Sequence, residues 1–513
     1  MDISKRADRS GGTLVNSSVL IQDGAVLLGN GTVNNKVINH GAFIPGDFVD
    51  PFTVGEYIQS PTGNLLIFVS NEGKHNSLKV LHEAKIEGNV LVGLESGFYV
   101  NNSLYKFNLP DFIDVSDPAK LTLDLTEIRL FKNSGTLEVK LEKDKDFFTL
   151  KILRASDSYS RHANSPAQKS LGGALYAAAS QNSLSPGLRN FIELLDFSDA
   201  GSNEITNLLQ NTLPNLYLNT QKADLEQLRT INNLLFSCRT EDGYWIKALG
   251  NRGSSDSSTL LNGSRTYQYG VVGGYRTKIS EQVKVGVFIG ATQLQLKEKN
   301  SGSKYDSTRF LIGAEAQYLP QQIDGLTFFG SVFVAGNDAK ATRKSLGSAY
   351  KSQWVGIGFS SQAGAEYLTG PETIKAGPFV LADFNWSRTP SFTEKGSGIP
   401  QTIASHQRGN FSSLLGLKLQ GNTQLKQTSI TSDVWIGWRH SYTTSPAKIY
   451  TKFADASPRF FAESDRFHKD SIEGSFQVSF DQTTGFYGGI EAWGSKSKDV
   501  RDIGINLFLG KRF

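Results

Sequence analysis

Cysteine and methionine each occur once in the 513 residues. The single thiol, Cys238, excludes an intramolecular disulfide framework and leaves any cysteine-based zinc cluster without ligands. Long apolar runs are missing as well. Stretches such as Leu65–Val69 are typical, far below the ~18 residues that a membrane helix needs. Neither charge dominates, since 53 basic and 49 acidic residues leave a net +4, too even for a dedicated nucleic-acid binder. Apolar residues make up 38%, below the ~45–50% of ordinary globular chains. The opening Met1–Asp8 has no apolar core of the kind a secretory signal carries. What is plentiful is glycine, 51 residues of it, among short β-prone runs. The reading is a large all-β chain of roughly two to four domains. A β-barrel in a membrane stays within that class, because its strands never look hydrophobic in a sliding window.

Three textures follow one another. Residues 1–155 are short strands punctuated by Gly and Asn, as in "GNGTVNNKVINHGAFIPGD" (Gly29–Asp47). Further runs at Asn64–Val69, Ser77–Leu81, Gly88–Leu94, Gly135–Leu141 and Phe147–Leu153 suit the stacked rungs of a β-solenoid, with a β-sandwich as the alternative. Residues 156–240 turn helical: Leu225, Leu228, Ile231 and Leu235 recur every three or four positions, while Pro186, Pro214 and Gly172-Gly173 break the stretch into pieces. This part reads as a helical linker.

From 241 to 513 strict alternation repeats. Val285, Val287, Ile289 and Ala291 share one face against Lys284, Gly286, Phe288 and Gly290, and Phe310, Ile312, Ala314 and Ala316 do so against Arg309, Gly313 and Glu315. Strands are predicted to begin near 243, 267, 283, 307, 326, 353, 373, 408, 425, 471, 485 and 500, which makes twelve. An even count fits a single-chain bacterial barrel. Tight connections near 278–282, 319–325, 367–372, 422–424 and 481–484 alternate with long polar ones near 252–266, 295–306, 337–352, 387–407 and 440–470. Short turns on one side and long loops on the other is the membrane-barrel arrangement. The apolar face is assigned to lipid and the Gly-rich charged face to a polar lumen, so Val287→Arg and Ile312→Arg should be costly and Gly313→Ser milder.

Twelve strands enclose a bore between the side-chain-filled eight and the open channel of sixteen. The helical segment at about 221–238 spans about 27 Å, close to the ~25 Å apolar band of such a barrel. Threading it through the bore places everything upstream on the outer side.

At this point the chain resembles the monomeric autotransporters of Gram-negative bacteria, the type V secretion family, over nearly its whole length. "GEYIQSPTGNLLIFV", "NSLKVLHEAKIEGNVLVGL" and "SPAQKSLGGALYAAA" look like the C-terminal end of a pertactin-like passenger and its linker. "GYWIKALGNRG" at Gly243, "DVWIGWRHSY" at Asp433 and the terminal "INLFLGKRF" are similar to the family's translocator domain. The resemblance implies a β-helical passenger stub over 1–155, a linker with its pore helix over 156–240, and a twelve-stranded translocator barrel over 241–513. It implies an outer-membrane protein that exports and displays its own N-terminal region, with residues 1 to about 215 on the cell surface. The partners it implies are outer-membrane lipid, the barrel-assembly machinery and periplasmic chaperones, with a host surface as a further candidate. A monomer is expected, and no nucleic acid. The alternative is a surface adhesin whose β-helix and outer loops bind host or cell surfaces. A plain porin is a third reading, but it needs neither plug nor β-helix.

Terminal Phe513, with Ile505, Leu507 and Leu509 at every second position before it, resembles the signal read by the barrel-assembly machinery. Because residues 1–30 carry no export signal, the reading frame is expected to extend upstream into more β-helix and a signal peptide. Enzyme chemistry is not expected. No two of the seven histidines are spaced i, i+4, His75 and His82 beside Glu83 read as solvated, and there is no P-loop or G-x-S-x-G elbow. No cofactor or metal is expected. One pair could react with itself: Asn232-Asn233 lies in the pore helix, and in a subset of the family such a pair severs the passenger through attack of the first side-chain amide on its own carbonyl, a reaction that depends on locked geometry.

Overall fold

In a computed structural model the described residues are 11–144, 147–181, 183–237, 242–456, 458–466 and 468–512. The chain divides into two compact units between Leu209 and Gln210. The boundary falls within the helix Glu204–Thr212, so the helical stretch expected as one linker is shared between the units.

The first unit is built from parallel coils. Strands Gly31–Asn39, Phe52–Gln59 and Leu78–Leu94 stack so that Val33, Val54 and Val80 coincide. A second stack, through Val26–Gly29, Ala42–Pro45 and Asn64–Val69, aligns Leu27, Phe43, Leu65 and Val90. Val33, Val54, Val80, Phe43, Leu65 and Val90 are buried, so each coil completes the core of the next. Polar groups inside are satisfied along the stack: Asn39 Nδ2 donates to Tyr57 Oη (3.1 Å), which donates to Gln59 Oε1 (2.8 Å). The solenoid expectation holds. The two runs expected at 77–81 and 88–94 are one continuous strand, Leu78–Leu94.

Parallel stacking ends in an antiparallel sheet of Leu137–Asp144, Phe147–Arg154 and Ser103–Asn108. Helices Pro166–Ala179 and Pro186–Asp196, each capped by a serine side chain (Ser165, Ser185) ahead of its proline, complete the unit. A buried ion pair fastens the second helix to the sheet: Arg154 Nη1 lies 2.6 Å from Asp196 Oδ1, and Tyr159 Oη donates to the same carboxylate at 2.9 Å. Burial, then the Asp196 charge, push the Tyr159 hydroxyl well above its ordinary value.

The second unit is a closed antiparallel barrel of twelve strands. They are β1 Gly243–Ser255, β2 Ser264–Lys278, β3 Val283–Glu298, β4 Lys304–Tyr318, β5 Leu326–Ser345, β6 Ser348–Tyr367, β7 Ile374–Thr389, β8 His406–Leu425, β9 Thr428–Ser441, β10 Asp470–Gln482, β11 Phe486–Lys496 and β12 Val500–Lys511. β12 closes on β1, with Leu507 opposite Ala248. Alternation sorts the faces as expected. Val287, Ile289, Phe310 and Ile312 point outward and are at least 60% exposed, while Phe288, Arg309 and Leu311 point in and are buried. Outward aromatics gather at both ends, Tyr244 against Tyr275 at one and Phe411 against Tyr442 at the other. Val287→Arg or Ile312→Arg should therefore cost about 2–4 kcal/mol of barrel stability, read as a shift in the urea midpoint of the refolded protein.

The structure corrects the sequence reading in three places. Residues 337–352 are not a long loop: β5 and β6 run on as a hairpin to a two-residue turn, Leu346-Gly347, both at positive φ. The connections at 390–405 and 442–469 fold into strands, Phe392–Thr393, Gln401–Ile403, Lys448–Phe453 and Arg459–Glu463, which make a small antiparallel sheet of their own. Nor is Gly313 a tolerant site. It lies directly opposite Phe288, whose ring covers it, and an added Cβ would come within 3.0 Å of that ring and of the Val332 carbonyl oxygen. Phe329 over Gly364, Phe379 over Gly416 and Tyr487 over Gly510 repeat the arrangement, each ring filling the space its opposite glycine leaves.

Candidate functional site: the lumen helix and its wall

Pro214 closes the preceding helix, and the chain re-enters helix at Asn215 and stays in it to Ser237. At 1.5 Å per residue this helix is about 34 Å long, more than the expected 221–238. It lies inside the barrel, with most of its side chains buried. Each level of the helix meets a different part of the wall.

At the upper level Tyr217 Oη donates to Glu394 Oε1 at 2.8 Å, and Glu394 is gripped by Arg343 of β5 through two bonds of 2.7 Å. Bidentate pairing of this kind fixes orientation as well as charge. Trp354 of β6 stacks on Phe392 at 4.4 Å, and the Tyr217 ring meets Phe392 edge-on at 5.0 Å. Leu216, Leu218, Ile403, Ile449 and Ala462 belong to the same cluster. The small sheet formed by the long connections is therefore seated on the first turn of the lumen helix.

In the middle, Asp224 accepts from Tyr305 (2.9 Å) and Arg309 (3.1 Å), and Gln227 donates to Thr292 (3.0 Å). Below them Leu228, Ile231, Leu234 and Leu235 pack on Trp245, Leu249, Val272, Phe288, Leu311 and Phe333. The lumen is thus not uniformly polar, since its lower half is apolar where the helix leans on the wall. At the bottom Phe236 stands among Phe329, Phe379 and Trp435, with centroids 5.1, 5.3 and 6.1 Å away. The opposite flank is looser: a cavity of about 130 Å³ there is lined by Lys222, Glu226, Arg229, Asp256 and Asp502 among others.

Asn232 and Asn233 sit just above Phe236, the first fully buried. Asn232 Nδ2 donates to Ser360 Oγ at 2.7 Å and reaches Asn385 Oδ1 at 3.5 Å. Asn233 Oδ1 accepts from Arg439 Nη2 at 3.2 Å. Arg439 in turn bonds Asp383, Glu473 (2.8 Å) and Ser412 (3.0 Å), joining β7, β8, β9 and β10 at one point. The Asn232 amide nitrogen is thus a donor to the wall. Ile505, Leu507 and Leu509 lie on the outward face of β12, each at least half exposed, whereas Phe513 and Cys238 fall outside the described residues. His75 and His82 belong to the first unit. Among the described residues no group of His, Cys, Asp and Glu is placed to hold a metal ion, and no helix is long and apolar enough to cross a membrane.

Sequence reasoning missed Arg439, Asp383, Glu473, the Asp224–Arg309 pair and the loop sheet. The signal for the charges was present, because a barrel strand that places Arg or Asp on its inward face needs an inward partner.

A closed twelve-stranded barrel with an apolar outer belt, filled by the helix that precedes its first strand, defines an outer-membrane translocator. The family model described as "Autotransporter beta-domain" matches residues 244–492, so the barrel segment belongs to that domain family. Among solved structures, the translocator domain of autotransporter NalP from Neisseria meningitidis is similar at 13% identity, covering 58% of this chain and 96% of that one with a TM-score of 0.45. The transport unit of autotransporter AIDA-I from Escherichia coli is similar at 13% identity, with 57% and 98% covered and a TM-score of 0.41. For the beta domain of the Bordetella autotransporter BrkA the values are 12%, 53%, 99% and 0.40. No curated protein matches the chain.

Proposed function

We propose that the barrel exports the residues N-terminal to it and displays them on the outer face of the outer membrane, with the lumen helix as the last segment to pass and the plug that remains. One observation carries this reading. The helix begins at the barrel end bearing the loop sheet and finishes at the end bearing the short turns, where β1 starts. Residues preceding Asn215 therefore leave the barrel at the loop end, which in bacterial barrels is the outer one. The parallel coils of the first unit suit a passenger end, since they fold by stacking on one another and need no partner. The barrel-assembly machinery, reading Phe513 with Ile505, Leu507 and Leu509, and periplasmic chaperones are the partners this route requires. The Asn232-Asn233 pair is assigned to holding the helix in place.

Single cysteines test the orientation. In a Cys238→Ser background, Ser397→Cys lies in the loop region and Glu372→Cys in the turn after β6, both exposed. An impermeant maleimide should label Ser397→Cys on intact cells and Glu372→Cys only after the outer membrane is permeabilised. The reverse pattern would invert the barrel and end the display reading.

A further inference from the structure

The outward face of the barrel changes character beyond the apolar belt. On β3 and β4 the outward residues run from Ala291 and Phe310 through Gln293, Gln295, Thr308 and Asp306 to Lys297 and Lys304. In register, Arg265 of β2 lies opposite Lys297, Lys297 opposite Lys304, Lys304 opposite Thr342 of β5, and Thr342 opposite Lys351 of β6. Lys351 then bridges to Lys395. A single row across five strands thus carries cations at every position but one, and that one is a hydroxyl. Arg265, Lys297, Lys304, Lys351 and Lys395 are all exposed.

Like charges directly opposite one another on adjacent strands destabilise a sheet. Among the described residues none of these five cations forms an ion pair that would relieve them. The nearest outward acids, Asp306 and Asp338, stand in other rows; Asp306 lies opposite Lys340, and Asp338 accepts from Gln353. The opposite rim is mixed in sign, with Lys278 paired to Glu281 and Arg512 to Asp481. An uncompensated cationic row on a lipid-facing wall calls for an anion supplied by the membrane.

We infer that this row binds the phosphates of lipopolysaccharide in the outer leaflet. Height selects that ligand. Lys297 and Lys304 lie about 20 Å along the strand beyond Ala291 and Phe310, or about 15 Å above them at a tilt of 35–45°. A phospholipid headgroup layer is only roughly 5–8 Å deep, so its phosphates stop short of Lys297 and Lys304. Phosphates carried on the sugars of a glycolipid reach it. Adjacent cations, spaced by one inter-strand step of about 5 Å, can share the oxygens of one phosphate. Arg265, just beyond Tyr267, would take the lowest phosphate.

The inference rests on the loop end being the outer one, and the test keeps the two apart. Refolded full-length protein is mixed with phosphorylated lipopolysaccharide, with the same lipopolysaccharide after dephosphorylation, or with phosphatidylglycerol vesicles, and retained lipid is measured by native mass spectrometry and phosphate assay. The wild type should retain the phosphorylated form alone. Arg265→Gln/Lys297→Gln/Lys304→Gln/Lys351→Gln together should weaken retention at least about tenfold, as expected when several cations near an anionic surface are removed. Lys278→Gln/Lys375→Gln at the opposite rim should leave retention unchanged. Heat-modifiable migration of all variants shows that each has folded. Undiminished retention by the fourfold variant, or equal retention of dephosphorylated lipid or phosphatidylglycerol, would overturn the inference. Orientation is decided separately, by the labelling of Ser397→Cys on cells.

Discussion

Removing residues 215–237 should raise single-channel conductance in planar bilayers by about an order of magnitude, since a twelve-stranded wall has room for a helix and, without it, for water and ions. The helix is in contact with the wall at every level. Tyr217 closes the loop end with Glu394 and Phe392, Leu228, Ile231 and Leu235 seal the middle, and Phe236 fills the other end among Phe329, Phe379 and Trp435. The flank along Lys222, Glu226 and Arg229 leaves a gap of about 130 Å³. Intact protein should therefore conduct poorly, and a small residual current should depend on the charges of that flank. Phe236→Ala alone should give an intermediate rise. Equal conductance with and without the helix would mean that the loop sheet, not the helix, blocks the bore.

Arg439→Met should destabilise the barrel by about 3–5 kcal/mol, measured as the shift in urea midpoint of protein refolded in detergent. Its guanidinium is 1% exposed and holds Asp383 and Glu473, themselves buried, from two different strands. Taking away the cation leaves Asp383 without its counter-ion and Glu473 with only the longer pair to Arg229 at 3.8 Å, and that under-compensated buried charge costs more than the pair contributes. Arg439→Lys should rescue little, because one ammonium cannot reproduce the fork that meets Asp383, Glu473 and Ser412 together. Adding Asp383→Asn and Glu473→Gln to Arg439→Met should recover much of the loss. A cost below about 1 kcal/mol for Arg439→Met would place the cluster in solvent, as for an exposed pair.

The barrel was legible because lipid on one side and lumen on the other force strict alternation along every spanning strand. All twelve strands begin within about five residues of where that alternation starts. Where β5 and β6 leave the membrane the constraint ends. Lys340, Lys344 and Lys351 face outward with Arg343 and Ser352 inward, so both faces are polar and the hairpin to Leu346-Gly347 reads as a loop. The loop strands Phe392–Thr393 and Gln401–Ile403 are too short to show a period at all. The filled lumen was partly hidden for another reason. Trp245, Phe288 and Phe333 lie on the face that glycines and charges mark as aqueous, and only the apposed Leu228 and Ile231 explain why they point inward. The anchors at Asn232 and Asn233 depend on Ser360 and Arg439, far away in the chain, and no local pattern carries such a pairing.

A protease added to intact cells, with an epitope tag at the N-terminus and another in the 319–325 turn, tests the account most directly. The N-terminal tag should disappear while the turn tag stays on a fragment that begins near residue 215, and the turn tag should become sensitive only once the outer membrane is permeabilised. Survival of the N-terminal tag on intact cells, with its loss only after permeabilisation, would contradict it.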